Sequence, residues 1–306
     1  MAKVIICDPI HKDGVQMLRD AGLDVTLDTE VTAEDLLHKI GEYDAMVIRS
    51  RTKVNKELLD AATSLKAIAR AGVGLDNVDL PYAKEKGVEV FNSPEAPCNA
   101  VAELVLGMMF NMARMITEAD AGMKQGKWEK KKLTGFEIQG KTLGIIGFGR
   151  IGYTLGKKAK CLGMRVLAFD VALDRVKQYI DEIGAEAADL DTLYAESNFI
   201  TVHVPLLPQT KHMINKEAIA KMRDGVHLIN AARGGVIDEE ALKEALNSGK
   251  VKGAALDVFE QEPKPDEELV CRSNVICTPH IGAGSVEAQI GNSTVVAEKL
   301  IKFFSS

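Results

Sequence analysis

The sequence predicts an α/β fold of two doubly wound, parallel-sheet domains, and three observations carry that prediction. The chain has 306 residues, about twice the common size of one domain. Short, nearly continuous apolar runs alternate with amphipathic stretches in two separate series, the pattern of parallel strands covered on both faces by helices. A long stretch of small and apolar residues with helical character divides the two series.

In the first series the strands are expected at Val4–Ile6, Val25–Leu27, Ala45–Ile48, Ala67–Ala69 and Val88–Phe91. Asp8-Pro9 and Asn92-Ser93-Pro94 are turn signals that close the first and last of them. Ala96 to about Lys124 reads as one buried helix. The second series places strands at Thr142–Ile146, Arg165–Phe169, Phe199–His203, Val226–Asn230, Ala254–Asp257 and Val275–Cys277. Ser285–Phe304 closes the chain as a helix expected to return to the first domain. The expected division is therefore 1–95 plus 285–306 for a discontinuous substrate-binding domain and 96–284 for a cofactor-binding domain.

Composition excludes several classes. Hydrophobic residues at 46% and charged residues at 27% suit a packed globular enzyme and not a disordered chain. A formal net charge of −6 provides no basic field for nucleic acid. The five cysteines are scattered, without CxxC spacing and without a histidine at metal-motif distance from two of them, so neither a disulfide frame nor a bound metal is expected. Buried, inert thiols in a reducing compartment are expected instead. The N-terminus is charged too soon for a secretion signal, and no apolar run approaches the roughly 20 residues of a membrane helix. A cytoplasmic location without a membrane partner follows.

Gly147, Gly149 and Gly152 form a GxGxxG sequence between the apolar strand Leu143–Ile146 and a helical stretch from Tyr153. In that context the first glycine makes the tight turn, the second admits a pyrophosphate close to the backbone, and the third lets helix pack on strand. The helix N-terminus then faces the phosphates with free N–H groups and a positive dipole end. Asp170 ends the next strand, 23 residues after Gly147, where a carboxylate binds ribose hydroxyls and repels a 2′-phosphate. NAD is the expected cofactor, in preference to NADP.

Ligands of such sheets gather at the carboxyl ends of the strands, and three later strands end in ionisable residues. Arg233 follows Val226–Asn230, Asp257 and Glu262 follow Ala254–Leu256, and His280 follows Val275–Cys277. Hydride transfer between a nicotinamide and a 2-hydroxy acid needs this set. Arg233 offers a planar fork for the substrate carboxylate. His280 exchanges the proton of the substrate oxygen, and Glu262 stabilises the imidazolium. Asp257 is a candidate for the nicotinamide amide.

Gly147–Gly152 with Asp170, Ala232–Gly235, Leu256–Pro263 and Pro279-His280 resemble the D-isomer-specific 2-hydroxyacid dehydrogenases along essentially the whole chain. The resemblance implies a flavodoxin-like substrate domain, a Rossmann-like NAD domain, a homodimer, and Arg233, Glu262 and His280 as the catalytic set. It also implies NAD contacts at Arg150, Ile151, Val204, Ala231, Asp257 and Ala283. Val73 and Val204 stand where the family often has Thr, which leaves only backbone contacts there. The chain ends at Ser306, so the C-terminal regulatory domains of many members, and their serine feedback, are not expected.

The substrate is read from surplus cation. Arg49 and Arg51 flank Ser50 after the strand Ala45–Ile48 and are expected to converge on one phosphate. The backbone of Gly72, Val73 and Gly74 is expected to donate to the substrate carboxylate, and Asn77 to cap the next helix. Two other readings stay open: a glyoxylate or hydroxypyruvate reductase on the same scaffold, and an NAD-sensing, corepressor-like binding protein. The second would have no use for the proton donor His280.

Overall fold

The computed structural model describes residues 1–305; the last residue of the predicted closing segment, Ser306, lies outside them. The chain divides into two compact units, Met1–Ala100 with the segment that begins at Ala283, and Val101–Gly282. Both are parallel-sheet α/β units, the class read from the sequence.

The first unit holds β1 (Lys3–Ile6), β2 (Asp24–Leu27), β3 (Ala45–Ile48), β4 (Ala67–Arg70) and β5 (Glu89–Asn92) in the order β2-β1-β3-β4-β5, all parallel. Successive strand residues face opposite sides of a sheet, and both sides are covered here. Ile5, Met46, Ile48 and Ile68 pack with Leu36 and Leu58 on one face, whereas Val4, Ile6, Val47 and Ala69 meet Leu18, Val296 and Leu300 on the other. That double burial is why these strands lack polar alternation. The closing helix, Val286–Ser305, packs on this second face beside the helix Lys12–Asp20.

The second unit holds β6 (Thr142–Ile146), β7 (Arg165–Phe169), β8 (Glu186–Ala187), β9 (Phe199–Val202), β10 (Val226–Asn230), β11 (Val251–Leu256) and β12 (Val275–Cys277). Their order is β12-β11-β10-β9-β6-β7-β8, so the winding reverses between β6 and β9. A crevice opens outside the carboxyl ends of the strands at such a reversal.

Three elements differ from expectation. β8 was not predicted, because its two exposed residues carry no apolar signal. β11 begins at Val251 instead of Ala254, since exposed Lys252 and the side-chain-free Gly253, itself buried, interrupt the apolar run. The expected single helix is two, Cys98–Arg114 and Ile116–Lys124, bent by 66° about Met115, whose φ is +50°. The break has a hydrogen-bond cause: Thr117 N–H donates to Asn111 Oδ1 (2.9 Å), and the Ala113 carbonyl accepts from Phe136 N–H (3.0 Å). Both groups of one i→i−4 helix bond are thus engaged elsewhere. Among the described residues no single helix is long and apolar enough to cross a membrane; the bent pair passes only on combined length and composition. Cys7 and Cys98 are buried as expected, but Cys161 and Cys271 are exposed.

Candidate active site

β6 leads into Gly147 at φ +91°, where a Cβ would lie 2.5 Å from the His203 carbonyl oxygen. A Cβ at Gly152 would lie 2.4 Å from the Gly147 carbonyl oxygen, so the turn and the helix Arg150–Cys161 close on each other only without side chains. Gly149, the N-cap of that helix, faces open space: nothing lies within 4 Å of its built Cβ. Arg150 is exposed and Ile151 half-buried at the first helical turn. Asp170, just past β7, accepts from Phe148 N–H (2.9 Å) and Ala172 N–H (2.8 Å), which fixes the carboxylate beside the glycine turn. Val204 follows β9, with its Cγ1 2.9 Å from the built Cβ of Gly147, and Ala231 is buried just past β10. A side-chain-free approach, a helix N-terminus and an adjacent carboxylate are what a dinucleotide's pyrophosphate and ribose require, so these residues fit NAD.

The loops after β10, β11 and β12 leave neighbouring strands at the same sheet edge. Arg233 sits in a turn that Asn230 shapes from the end of β10: its Nδ2 donates to the Arg233 carbonyl (2.8 Å) and its Oδ1 accepts from Ala232 N–H (3.0 Å). Gly234 permits this turn, because a Cβ there would lie 1.8 Å from the Phe259 carbonyl oxygen. Arg233 is half-buried, with its Nη1 on the Ala232 carbonyl (2.7 Å).

Glu262 and His280 are brought together. Glu262 Oε2 lies 2.9 Å from His280 Nδ1, while Oε1 accepts from Phe259 N–H (3.1 Å). Both side chains remain partly exposed. Both line a hollow of 320 Å³ together with Phe259, Pro263, Val270 and Cys277. Burial pushes the Cys277 thiol up to about 11, so it is no nucleophile near neutrality.

His280 itself has φ +54°, and buried Asp257 holds it there. Asp257 Oδ1 accepts from Thr278 Oγ1 (2.5 Å) and Ile281 N–H (2.8 Å), Oδ2 from Gly282 N–H (2.7 Å), and its carbonyl from His280 N–H (2.8 Å). Both carboxylate oxygens are thus engaged by the segment that carries His280 and leads to Ala283. Sequence reasoning missed the shaping roles of Asn230 and Asp257. It also missed His203 at the end of β9, whose Nε2 meets Thr201 Oγ1 (3.0 Å) and whose imidazole burial pushes down to about 4.

In the first unit the two arginines do not converge. Arg51 Nε lies 3.2 Å from Asp8 Oδ1 and its Nη2 donates to the Cys7 carbonyl. It lines a hollow of 480 Å³ with Lys53, Leu36 and Leu58. Arg49 lines a different hollow, of 260 Å³, with His11, Lys12, Gln289 and Asn292, and its guanidinium has no protein partner among the described residues. The expected convergence on one anion is corrected accordingly: buried Asp8 recruits Arg51, and Arg49 lines a separate hollow. Asn77 is no helix cap either, since Asp79 caps the helix Leu80–Glu85. Gly72 has φ +150°, and its built Cβ would lie 1.7 Å from Arg70 Nη1. The N–H groups of Gly72, Val73 and Gly74 have no acceptor among the described residues, and Asn92 Nδ2 braces the turn from the Val73 carbonyl (2.6 Å).

Residues 106–282 match the family described as D-isomer specific 2-hydroxyacid dehydrogenase, NAD binding domain. The chain belongs to this family of NAD-dependent 2-hydroxyacid dehydrogenases, and NAD is its cofactor. Among its relatives, a hydroxypyruvate reductase of Thermotoga maritima is 48% identical, over 98% of this chain and 97% of that one. A D-3-phosphoglycerate dehydrogenase of Methanocaldococcus jannaschii is 46% identical over 99% of this chain, which spans 57% of the relative's length. The crystal structure of Aquifex aeolicus D-lactate dehydrogenase, complexed with NAD and lactic acid, is 31% identical and superposes with a TM-score of 0.84, covering 99% of this chain and 95% of that one.

Proposed function

We propose that this chain is a dehydrogenase of D-3-phosphoglycerate, as the Methanocaldococcus relative is named, and yields 3-phosphohydroxypyruvate, a step toward L-serine. The observation that carries the reading is Arg49: a guanidinium without a partner among the described residues, in a hollow with Lys12 and His11, suits a phosphate, and a smaller hydroxy acid has no use for it. In this reading residues 1–95 and 285–306 form the substrate domain and 96–284 the NAD domain. The guanidinium of Arg233 holds the substrate carboxylate, and the N–H groups of Gly72–Gly74 are donors for an anion within the substrate domain. His280 Nε2 takes the proton of the C2 hydroxyl, and Glu262, on Nδ1, balances the positive imidazole that results. Asp257 keeps His280 aimed. NAD, held by the Gly147–Gly152 turn and Asp170, would supply the acceptor for the hydride that leaves C2. A homodimer in the cytoplasm completes the proposal, with exposed Phe110, Ile116 and Trp128 offering apolar surface for a second copy.

A second reading, hydroxypyruvate reductase, is favoured by the Thermotoga relative, which matches nearly end to end. Steady-state assays with NADH and 3-phosphohydroxypyruvate, hydroxypyruvate or glyoxylate decide between them. We expect kcat/KM for the phosphorylated acid to be at least about tenfold higher, with Arg49→Ala removing that advantage. Preference for hydroxypyruvate, unchanged by Arg49→Ala, overturns the first reading in favour of the second.

A further inference from the structure

The geometry points to Asp8 and Asn77 as positioning residues that set how well Arg49 meets a phosphate; this rests on the phosphate reading of Arg49 above. Neither touches the Arg49 guanidinium. Asp8 follows β1 and is 1% exposed, yet its carboxylate meets four donors. Oδ2 accepts from the N–H of Arg49 (2.6 Å) and of Thr52 (3.2 Å), and Oδ1 from Thr52 Oγ1 (2.7 Å) and Arg51 Nε (3.2 Å). From the opposite side Asn77 Nδ2 donates to the carbonyls of Arg49 (3.0 Å) and Thr52 (2.6 Å). The loop from Arg49 to Thr52 is thus gripped at both ends, its N–H groups by an acceptor and its carbonyls by a donor.

The chemistry of each partner suits that grip. Only a carboxylate offers enough lone pairs for four donors, and only an amide of this reach donates twice without adding charge. A buried carboxylate needs a counter-charge, and Arg51 supplies it from the same loop. Arg51 therefore neutralises Asp8, so that of the two arginines it is Arg49 that faces the 260 Å³ hollow, beside Lys12. The two-residue spacing of the arginines follows: one serves the scaffold and its neighbour serves the ligand. Fixing the loop before binding spares the ordering of a flexible arginine-bearing segment, which raises affinity without any new contact.

The test is a kinetic cycle with 3-phosphohydroxypyruvate and hydroxypyruvate, each with NADH. Asp8→Asn turns one acceptor into a donor against the loop's N–H groups. It should raise KM for the phosphorylated acid about tenfold and change kcat and the hydroxypyruvate KM by less than about twofold. In an Arg49→Ala background the same change should add less than about twofold, because the loop then has nothing to aim. Thr52→Val removes only the hydroxyl bond to Asp8 and guards against an unfolded Asp8 variant; it should give a smaller shift of the same selectivity, rescued by Thr52→Ser. Equal KM rises on both substrates, or full additivity with Arg49→Ala, would overturn the positioning role. If Arg49→Ala alone spares the phosphorylated substrate, the phosphate reading itself fails. A strong Arg49→Ala effect with silent Asp8 and Thr52 variants leaves that reading intact and removes only this one.

Discussion

The turn after β6 and the loop after β3 occupy equivalent places, each leaving the carboxyl end of an inner strand of a parallel sheet, but they are shaped by opposite means. The turn owes its form to missing side chains: Gly147 adopts φ +91°, and Cβ atoms at Gly147 and Gly152 would strike backbone oxygen. The loop from Arg49 to Thr52 contains no glycine and owes its form to added groups, the carboxylate of Asp8 and the amide of Asn77. The first arrangement leaves backbone uncovered; the second fixes the backbone of a side-chain-bearing loop. Each should fail in its own way when altered.

The largest expected effect lies outside both elements, at the chemistry they serve. His280→Ala should lower kcat by about 10²–10⁴-fold. NADH affinity, read by fluorescence titration, should stay within about twofold of the parent, because the glycine turn is untouched. Turnover within tenfold of the parent would remove His280 from the proton transfer. Joint loss of cofactor binding would mean that turn and His280 segment are one structural unit.

A sharper contrast is available inside the turn. Gly147→Ala meets the His203 carbonyl oxygen and a left-handed backbone, so it should both lower Tm and weaken NADH binding, the strain being about 1–3 kcal/mol. Gly149→Ala has φ −70° and open space around its new methyl. It should leave Tm within about one degree of the parent while raising the NADH Kd about tenfold, since the methyl occupies the approach to the helix N-terminus. Normal NADH binding by Gly149→Ala would show that this approach is not used.

The same contrast explains what could be read from the sequence. The glycine turn declares itself because its constraints fall within six residues, and Asp170 follows at a fixed interval. The parallel sheets were legible for a similar reason: strands covered on both faces are continuous apolar runs. The loop after β3 was only half legible. Arg49 and Arg51 stood out, but Asp8 lies 41 residues before Arg49 in sequence, and no spacing rule links them. Asn77 passed for a helix cap because capping is local and visible, whereas its bonds run 28 and 25 residues back to Arg49 and Thr52. The helix break at Met115 was hidden likewise, since it depends on Phe136 capturing the Ala113 carbonyl. In the second unit, strand ends led to the Glu262–His280 pair, whereas the braces at Asn230 and Asp257 arise only from the folded path of their loops.

The smallest expected effect separates scaffold from site within one sheet. His227 lies in β10, 7% exposed, with its ring 5.4 Å from Phe136 and 5.0 Å from Phe199. Burial pushes its imidazole down to about 4, as it does that of His203 beside the glycine turn. In the unfolded chain a histidine titrates near 6.5. Between those values the unfolded state binds protons that the folded state refuses, so stability is fully present above about pH 6.5 and declines as pH falls toward 4. His227→Phe removes one of the two groups and keeps the aromatic contacts. Whatever its effect on Tm at pH 7.5, the further fall in Tm between pH 7.5 and 5 should be smaller than in the parent by about one or two degrees. The NADH Kd at pH 7.5 should not move, because His227 packs inside the sheet's helical cover and not at its carboxyl edge. An unchanged pH dependence would mean that His227 is protonated in the folded protein, and the acid sensitivity of this sheet would then rest on His203, under the turn itself.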